Sequence, residues 1–301
     1  MTRQQRTQLN QKLKRPATFV PQTPEQMRTG FAALMSNMYV PTMITQTPIT
    51  LGNRPAIQVD HEQHTHAGII LYFHGGSYVV GSPTTAMSLT GSLVSRTGIR
   101  AVSLDYRLAP EHPFPAAMED GLAAYRELLA NGTNAADIVL AGDSAGGGLA
   151  VAVCMMARDA GLPIPAAVIT FSAGLDKTHS GASMSSKADV DPFFARENFD
   201  HTDAMFLAGQ DPRHEWVSPA TYGKLEGFPP LLLQVGTNEL LLDDSTMLAE
   251  RARAAGVDVI LDITADVPHV FQAFTGTLDE ADQALDRAAL FIKQHIGQGQ
   301  A

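Results

Sequence analysis

The residues with the most evident capacity for chemistry stand at Gly142-Asp143-Ser144-Ala145-Gly146, a G-x-S-x-G string between an apolar run and a stretch of helical period. A chain that turns this sharply from strand into helix holds its central serine in a strained conformation with the hydroxyl exposed. Glycines two before and two after remove side chains that would collide. A serine hydroxyl is a weak nucleophile at neutral pH and needs a base to take its proton as it attacks. Of the ten histidines, chain order (serine, acid, histidine) leaves His179, His201, His214, His269 and His295 downstream. His269 is best placed, in a loop between the last expected strand and the final helix, where a base can reach the edge of the sheet that carries the serine. His295 falls near the end of a terminal helix, and the other three lie in the 176–215 stretch.

An acid must orient the imidazole and stabilise its cation. The segment Gly236-Thr237-Asn238-Glu239-Leu240-Leu241-Leu242-Asp243-Asp244 offers three carboxylates after a strand. Asp243 and Asp244 stand where a helix begins and are suited to capping its N–H groups. Glu239, in the strand-exit loop, is the favoured acid, with Asp243 second and Asp266 third. Attack on a carbonyl also develops an oxyanion that needs backbone donors already in place. His74-Gly75-Gly76-Ser77-Tyr78 follows another strand at the same edge, so Gly75, Gly76 and Ala145 are the expected donors. His74 reads as a brace for that loop, and Tyr78 either walls the pocket or packs.

Such a constellation needs a sheet to hold it. Short apolar, β-branched runs alternate with longer stretches of helical period, which implies an α/β fold with a mainly parallel eight-stranded sheet flanked by helices. The expected strands are 48–51, 56–59, 68–73, 100–104, 138–141, 167–171, 231–235 and 257–263, the first two forming an antiparallel hairpin. The expected helices are 84–97, 116–130, 145–160, 244–255 and 279–295. Two segments fall outside this rhythm: 18–45, with Phe19, Phe31, Met35, Met38 and Tyr39, and 176–215, far longer than an ordinary connection.

Composition excludes several other roles. The 301 residues carry a net charge of −10, opposite to what phosphate binding needs, so no nucleic-acid partner is expected. The longest apolar stretch, 149–157, is far short of a membrane span. Cys154 is the single cysteine and reads as a packed thiol; with no disulfide to form, the chain needs no oxidising compartment and is expected in the cytoplasm. Arg3, Arg6, Lys12, Lys14 and Arg15 make a basic start that reads as a polar, solvated leader. His61-Glu62-Gln63-His64-Thr65-His66 reads as an exposed loop, so no metal site is expected.

From about residue 25 to 295 the chain resembles the hormone-sensitive-lipase-like carboxylesterases, bacterial lipolytic family IV of the α/β-hydrolase fold. The resemblance rests on four motifs in order: His74-Gly75-Gly76; Asp105-Tyr106-Arg107-Leu108-Ala109-Pro110-Glu111 followed by Pro113-Phe114-Pro115-Ala116-Ala117; Gly142-Asp143-Ser144-Ala145-Gly146-Gly147; and Pro268-His269. It implies Ser144 as nucleophile, His269 as base, and Gly75, Gly76 and Ala145 as oxyanion donors. Glu239-Leu240-Leu241-Leu242-Asp243 fills the frame of the family's D-P-L-x-D, with glutamate where aspartate is usual. Ser77 replaces a third glycine. Ser172-Ala173-Gly174 stands where Ser-Pro-Trp is frequent, so the site is expected to widen beside Gly174 and acyl preference to change.

The resemblance further implies a helical cap built from residues 1–45 and 176–215 over a catalytic domain of 46–175 and 216–301. Phe31 is a candidate pocket residue in that cap. It also implies small uncharged esters with short- to medium-chain acyl groups as substrates, no metal or organic cofactor, and room for a homodimer paired at a sheet edge. Two rival readings stay open: an amidase or lactonase on the same triad, and a small-ligand-binding protein of the same fold, against which His269 argues.

Overall fold

The computed structural model describes residues 2–13, 18–63 and 66–297. Its eight strands are β1 (Ile44–Leu51), β2 (Arg54–His61), β3 (Ile69–Phe73), β4 (Arg100–Leu104), β5 (Ile138–Asp143), β6 (Ala167–Phe171), β7 (Leu231–Gly236) and β8 (Val259–Thr264). They form one sheet in the order β1-β2-β4-β3-β5-β6-β7-β8. β1 and β2 make the expected antiparallel hairpin, closed at Gly52-Asn53, where both residues have positive φ. β2 joins β4 antiparallel, and every later pairing is parallel. β5 lies near the middle of the sheet, so Ser144 leaves its C-terminal end where strand order reverses about β3 and β5, the usual place for a site in such sheets.

The ten helices of the described residues are α1 (Thr2–Lys12), α2 (Pro24–Met35), α3 (Met87–Thr97), α4 (Ala116–Ala130), α5 (Ala145–Asp159), α6 (Ser183–Ser186), α7 (Arg196–Leu207), α8 (Pro219–Tyr222), α9 (Leu242–Ala254) and α10 (Asp279–His295). The period-2 alternation of the strands sorts the core onto two faces. Leu71, Phe73 and Leu140 meet α4, α5 and α9 through Tyr125, Leu149, Val153 and Leu248. Ile70, Tyr72, Val139 and Ala141 meet α3 and α10 through Leu89, Leu93, Leu285 and Ile292. Cys154 is a buried, free thiol within α5, and burial pushes its pKa up.

Two expectations about the fold change. The start of the chain is not a solvated leader: Gln5 bonds Asp279, Arg6 bonds the Ala265 carbonyl and pairs with Glu280, and Leu9 packs beside Val267 and Phe271. Lys14 and Arg15 lie outside the described residues. Asp243 and Asp244 do not cap α9, which begins one to two residues before them with no side-chain cap. Their carboxylates instead hold other loops, Asp243 accepting from Ser183 N and Asp244 from Leu175 N and Asp176 N. Changes at Gly75 and Tyr78 belong with the site itself.

α2 starts with a capping box, Thr23 Oγ1 accepting from Gln26 N while Gln26 returns a bond to Thr23 N. None of its residues is fully buried; Met27, Phe31 and Met35 are half-buried against the core, and the helix has a polar anchor besides. Arg28 supplies it, donating to Val79 O, Ala109 O and both carboxylate oxygens of Glu111. Within the 176–215 stretch, α7 packs through Phe199, Phe206 and Leu207.

Candidate active site

Ser144 sits between β5 and α5 at φ 52°, ψ −121°, the strained turn expected of an exposed nucleophile. A Cβ at Gly142 would strike the Gly146 carbonyl, and one at Gly146 the carbonyls of Phe73 and His74, so the strand and helix approach this closely only because both are glycine.

His269 Nε2 lies 2.9 Å from Ser144 Oγ, and His269 Nδ1 lies 2.9 Å from Glu239 Oε2. Both His269 and Glu239 are buried. The other oxygen of Glu239 accepts from Ser172 Oγ at 2.7 Å and from Gly236 N at 2.5 Å. Ser172 Oγ in turn accepts from Val270 N, so one hydroxyl ties the loop of the acid to the loop of the base. Of the other two candidate acids, Asp243 holds Ser183 and Asp266 is exposed beside Arg6. The remaining downstream histidines stand apart from Ser144 Oγ: His179 bonds Asp203, His201 bonds Gln22 O, His214 packs on Phe114 and Trp216, and His295 bonds Phe291 O.

The glycine turn after β3 is arranged differently from its sequence reading. The Asp143 carboxyl packs against the α-carbon of Gly75 and is acted on by the Gly75 backbone, and Gly75 lines neither cavity beside Ser144. Gly76 and Ser77 face the nucleophile instead, and Ser77 borders both spaces next to it. The N–H groups of Gly76, Ser77 and Ala145 have no acceptor within the described residues. The expected donor pair therefore shifts by one residue, because the N–H of Gly75 is turned toward a carboxyl that sequence reading left without a role. A backbone donor carries no side-chain signature, so only the loop as a whole was visible.

Asp143 is buried under the same loop and accepts from Tyr72 Oη at 2.8 Å. Burial pushes its pKa up to about 6 against the pull of Tyr72 and His269. His74 is a brace: its ring stacks on Tyr106 with centroids 4.2 Å apart, Nδ1 lies 2.8 Å from Gly75 O, and burial lowers its pKa to about 4. Tyr78 packs and does not wall the pocket, since it is buried with its ring stacked on Phe206 at 4.0 Å and borders neither space.

A cavity of about 350 Å³ opens over Ser144 and His269. Its walls are mainly apolar: Met27, Phe31 and Met35 from α2, and Phe193, Phe194 and Phe199 from the 176–215 stretch. Phe194 also stands edge-on to the His269 ring at 5.0 Å. Asp191 fastens that wall to the acid loop by accepting from Phe193 N, Phe194 N and Leu240 N. On the other side of Ser144, the space beside Gly174 is only about 10 Å³, filled around by Lys177, His179, Phe199 and Leu241. Beside Gly174 itself there is open space, since a Cβ there would meet only Leu241 Cδ1, at 3.9 Å, and these side chains bound it closely.

No group of three or more potential metal-ligating side chains occurs among the described residues, and His64 lies outside them. No helix among the described residues is long and apolar enough to cross a membrane.

Comparison with known proteins bears on the fold and the family. A family profile described as the alpha/beta hydrolase fold matches residues 70–273. An acetyl-hydrolase of Streptomyces hygroscopicus is 41% identical over 230 residues, covering 76% of this chain and 77% of the relative. An esterase of Acinetobacter venetianus is 35% identical over 227 residues, covering 74% of each. The crystal structure of an esterase from the bacterial hormone-sensitive lipase family superposes with a TM-score of 0.93 at 38% identity, covering 98% of this chain and 99% of that one. The chain therefore belongs to the α/β-hydrolase-fold family, among its bacterial hormone-sensitive-lipase-like esterases, and is a carboxylic ester hydrolase.

Proposed function

We propose that the protein is a serine carboxylesterase working through an acyl-enzyme on small, uncharged esters with short- to medium-chain acyl groups. The observation that carries this reading is the continuous chain Ser144–His269–Glu239, with both links at 2.9 Å, beside three unoccupied N–H groups at the base of an apolar cavity.

In this reading Ser144 Oγ attacks the ester carbonyl while His269 Nε2 takes its proton. Glu239 accepts from His269 Nδ1–H, fixing the tautomer and stabilising the imidazolium. The N–H groups of Gly76, Ser77 and Ala145 stabilise the oxyanion. His269 then protonates the departing alkoxide, leaving an acyl group on Ser144. A water deprotonated by His269 adds to that acyl carbonyl, and collapse returns the proton to Ser144 as the acid leaves. Every proton and bond in this cycle is handled by the chain's own groups, so the reading calls for no cofactor.

Of the expected cap, 1–45 and 176–215, the parts from Phe19 onward and from Phe193 to Thr202 border the cavity, keeping water away from the imidazole and gripping the substrate through Phe31 and its neighbours, while Gln5 and Arg6 lie instead against Ala265, Asp279 and Glu280. A cytoplasmic location accompanies the reading, as does pairing of two chains along the free edge of β8, where Ile260 and Ile263 are exposed; light scattering checks the latter.

The test is a panel of esters, amides and lactones assayed with wild type and Ser144→Ala. Ester turnover is expected to fall by about 10⁶ in the variant. Preferred hydrolysis of amides or lactones by wild type would replace the ester reading, and undiminished ester turnover by Ser144→Ala would remove the serine mechanism.

A further inference from the structure

Ser144 separates two very unequal spaces. The apolar cavity of about 350 Å³ has His269 in its wall. The pocket of about 10 Å³ has Ala145 and Gly174 in its wall but not His269. We infer that the small pocket receives the acyl group and the large cavity the alcohol, making this an enzyme for acetate esters of bulky apolar alcohols; the inference rests on the serine-esterase reading above and narrows its acyl range to acetyl while widening its alcohol range.

The direction follows from proton delivery. The departing alcohol oxygen must receive its proton from His269 Nε2, so it lies on the side of Ser144 that His269 borders, and the rest of the alcohol extends into the large cavity. The acyl carbon chain then points the other way, past Ala145 and Ser77. This space is far smaller than the cavity on the His269 side, about 10 against about 350 Å³, so it takes the smaller substituent, the methyl of an acetyl group, ahead of a longer chain.

The walls resist enlargement. Lys177 Nζ lies 2.6 Å from Asp203 and His179 Nε2 lies 2.7 Å from the same carboxylate, all three side chains being at least nine-tenths buried. The Lys177 ammonium is also 5.7 Å from the ring centres of Tyr78 and Phe206. Phe199 stands beside His179, and Leu241 is buried with Phe199 in a separate apolar cluster. A longer acyl chain must part a buried ion pair or displace these side chains, whereas a larger alcohol only replaces water along Phe31, Met35 and Phe194.

Gly174 governs the depth of this pocket. Its backbone is not in the left-handed region, and a Cβ there would meet only Leu241 Cδ1, at 3.9 Å, so a side chain can be added and would grow into the space.

The experiment measures kcat/KM for octyl acetate, butyrate and hexanoate, and for ethyl acetate against octyl acetate. The proteins are wild type, Gly174→Val, Leu241→Ala and Ser144→Ala. Wild type should favour octyl acetate over octyl hexanoate by about 10²-fold or more and over ethyl acetate by about tenfold or more. Leu241→Ala should raise butyrate relative to acetate by about tenfold, and Gly174→Val should depress acetate while retaining a folded thermal transition. Equal hydrolysis of octyl acetate and hexanoate by wild type, with Ser144→Ala inactive, would overturn the assignment and leave the serine mechanism standing. Full activity of Ser144→Ala would sink both. The wild-type series decides the matter even where a variant fails to fold.

Discussion

Replacing Glu239 by glutamine isolates the task assigned to the acid. One oxygen of Glu239 accepts two bonds, from Ser172 Oγ and Gly236 N, and the other faces His269 Nδ1. The single carbonyl oxygen of the introduced glutamine satisfies the two donors, which turns its NH₂ toward His269. The imidazole must then accept at Nδ1 and carry its proton on Nε2, aimed at Ser144, the wrong tautomer for a base. Because both donors keep an acceptor, the fold should survive with little loss. The rate should fall by about 10⁴ in kcat, equivalent to roughly 5 kcal/mol of transition-state stabilisation. Asp243→Asn is the matched control: among the described residues its carboxylate accepts from the Ser183 N–H in the second cap segment and reaches neither His269 nor Ser144, and the amide oxygen of asparagine can keep that bond, so kcat should stay within about threefold and stability within about 1 kcal/mol of wild type. Steady-state hydrolysis of p-nitrophenyl acetate and urea unfolding of both variants make the comparison. A Glu239→Gln enzyme within tenfold of wild type, or an Asp243→Asn enzyme that loses the larger share of activity, would refute the assignment.

Further expectations concern the frame around the triad. Lys177→Met leaves the nearly buried Asp203 with His179 alone, so urea unfolding should show a loss of about 3 kcal/mol, and a loss under 1 kcal/mol would show that the pair contributes little. Arg28→Ala removes the polar anchor of α2 and leaves the helix to the half-buried contacts of Met27, Phe31 and Met35. KM for octyl acetate should rise several-fold with kcat for ethyl acetate within about twofold; unchanged kinetics for both would sever α2 from substrate binding. Burial pushes the pKa of Asp244 up to about 8, whereas in the unfolded chain it titrates near 4. The native state thus holds a proton that the unfolded state gives up, so this group's contribution is complete below about pH 4 and is lost as pH rises toward 8. Asp244→Asn should flatten the decline of stability between pH 5 and 8 by up to about 1.4 kcal/mol per pH unit, and an unaltered slope would contradict this.

What sequence could and could not disclose follows from the range of each interaction. The elbow at Ser144 is a local event, in which strand, glycine, serine, glycine and helix lie within ten residues, and its positive φ follows from that spacing. The eight strands are legible because each is a short apolar run flanked by turns; only their ends move, as where β1 extends back to Ile44 along its edge pairing with β2. Asp244 looked like a helix cap because acids cluster at helix starts, yet its bonds go to Leu175 and Asp176, far away in the chain. The same distance hid the seat of α1, whose partners lie between Ala265 and Glu280. The missing tryptophan suggested room beside Gly174, where an added Cβ would meet only Leu241, but no motif discloses that Lys177, His179 and Leu241 wall that room so closely. Asp191 belongs to no motif and Ser172 drew notice only as the start of Ser172-Ala173-Gly174; both fasten the loops of the triad to one another, roles that arise only when the loops meet.

The central claim is that Ser144, activated by His269, is the nucleophile. The direct measurement is covalent trapping: folded protein is treated with a fluorophosphonate, its intact mass is recorded, and the modified peptide is sequenced. The account predicts one added phosphonyl group per chain, located on Ser144, absent from Ser144→Ala and formed far more slowly in Glu239→Gln. Modification at another residue, or none in a preparation that still hydrolyses esters, would contradict it.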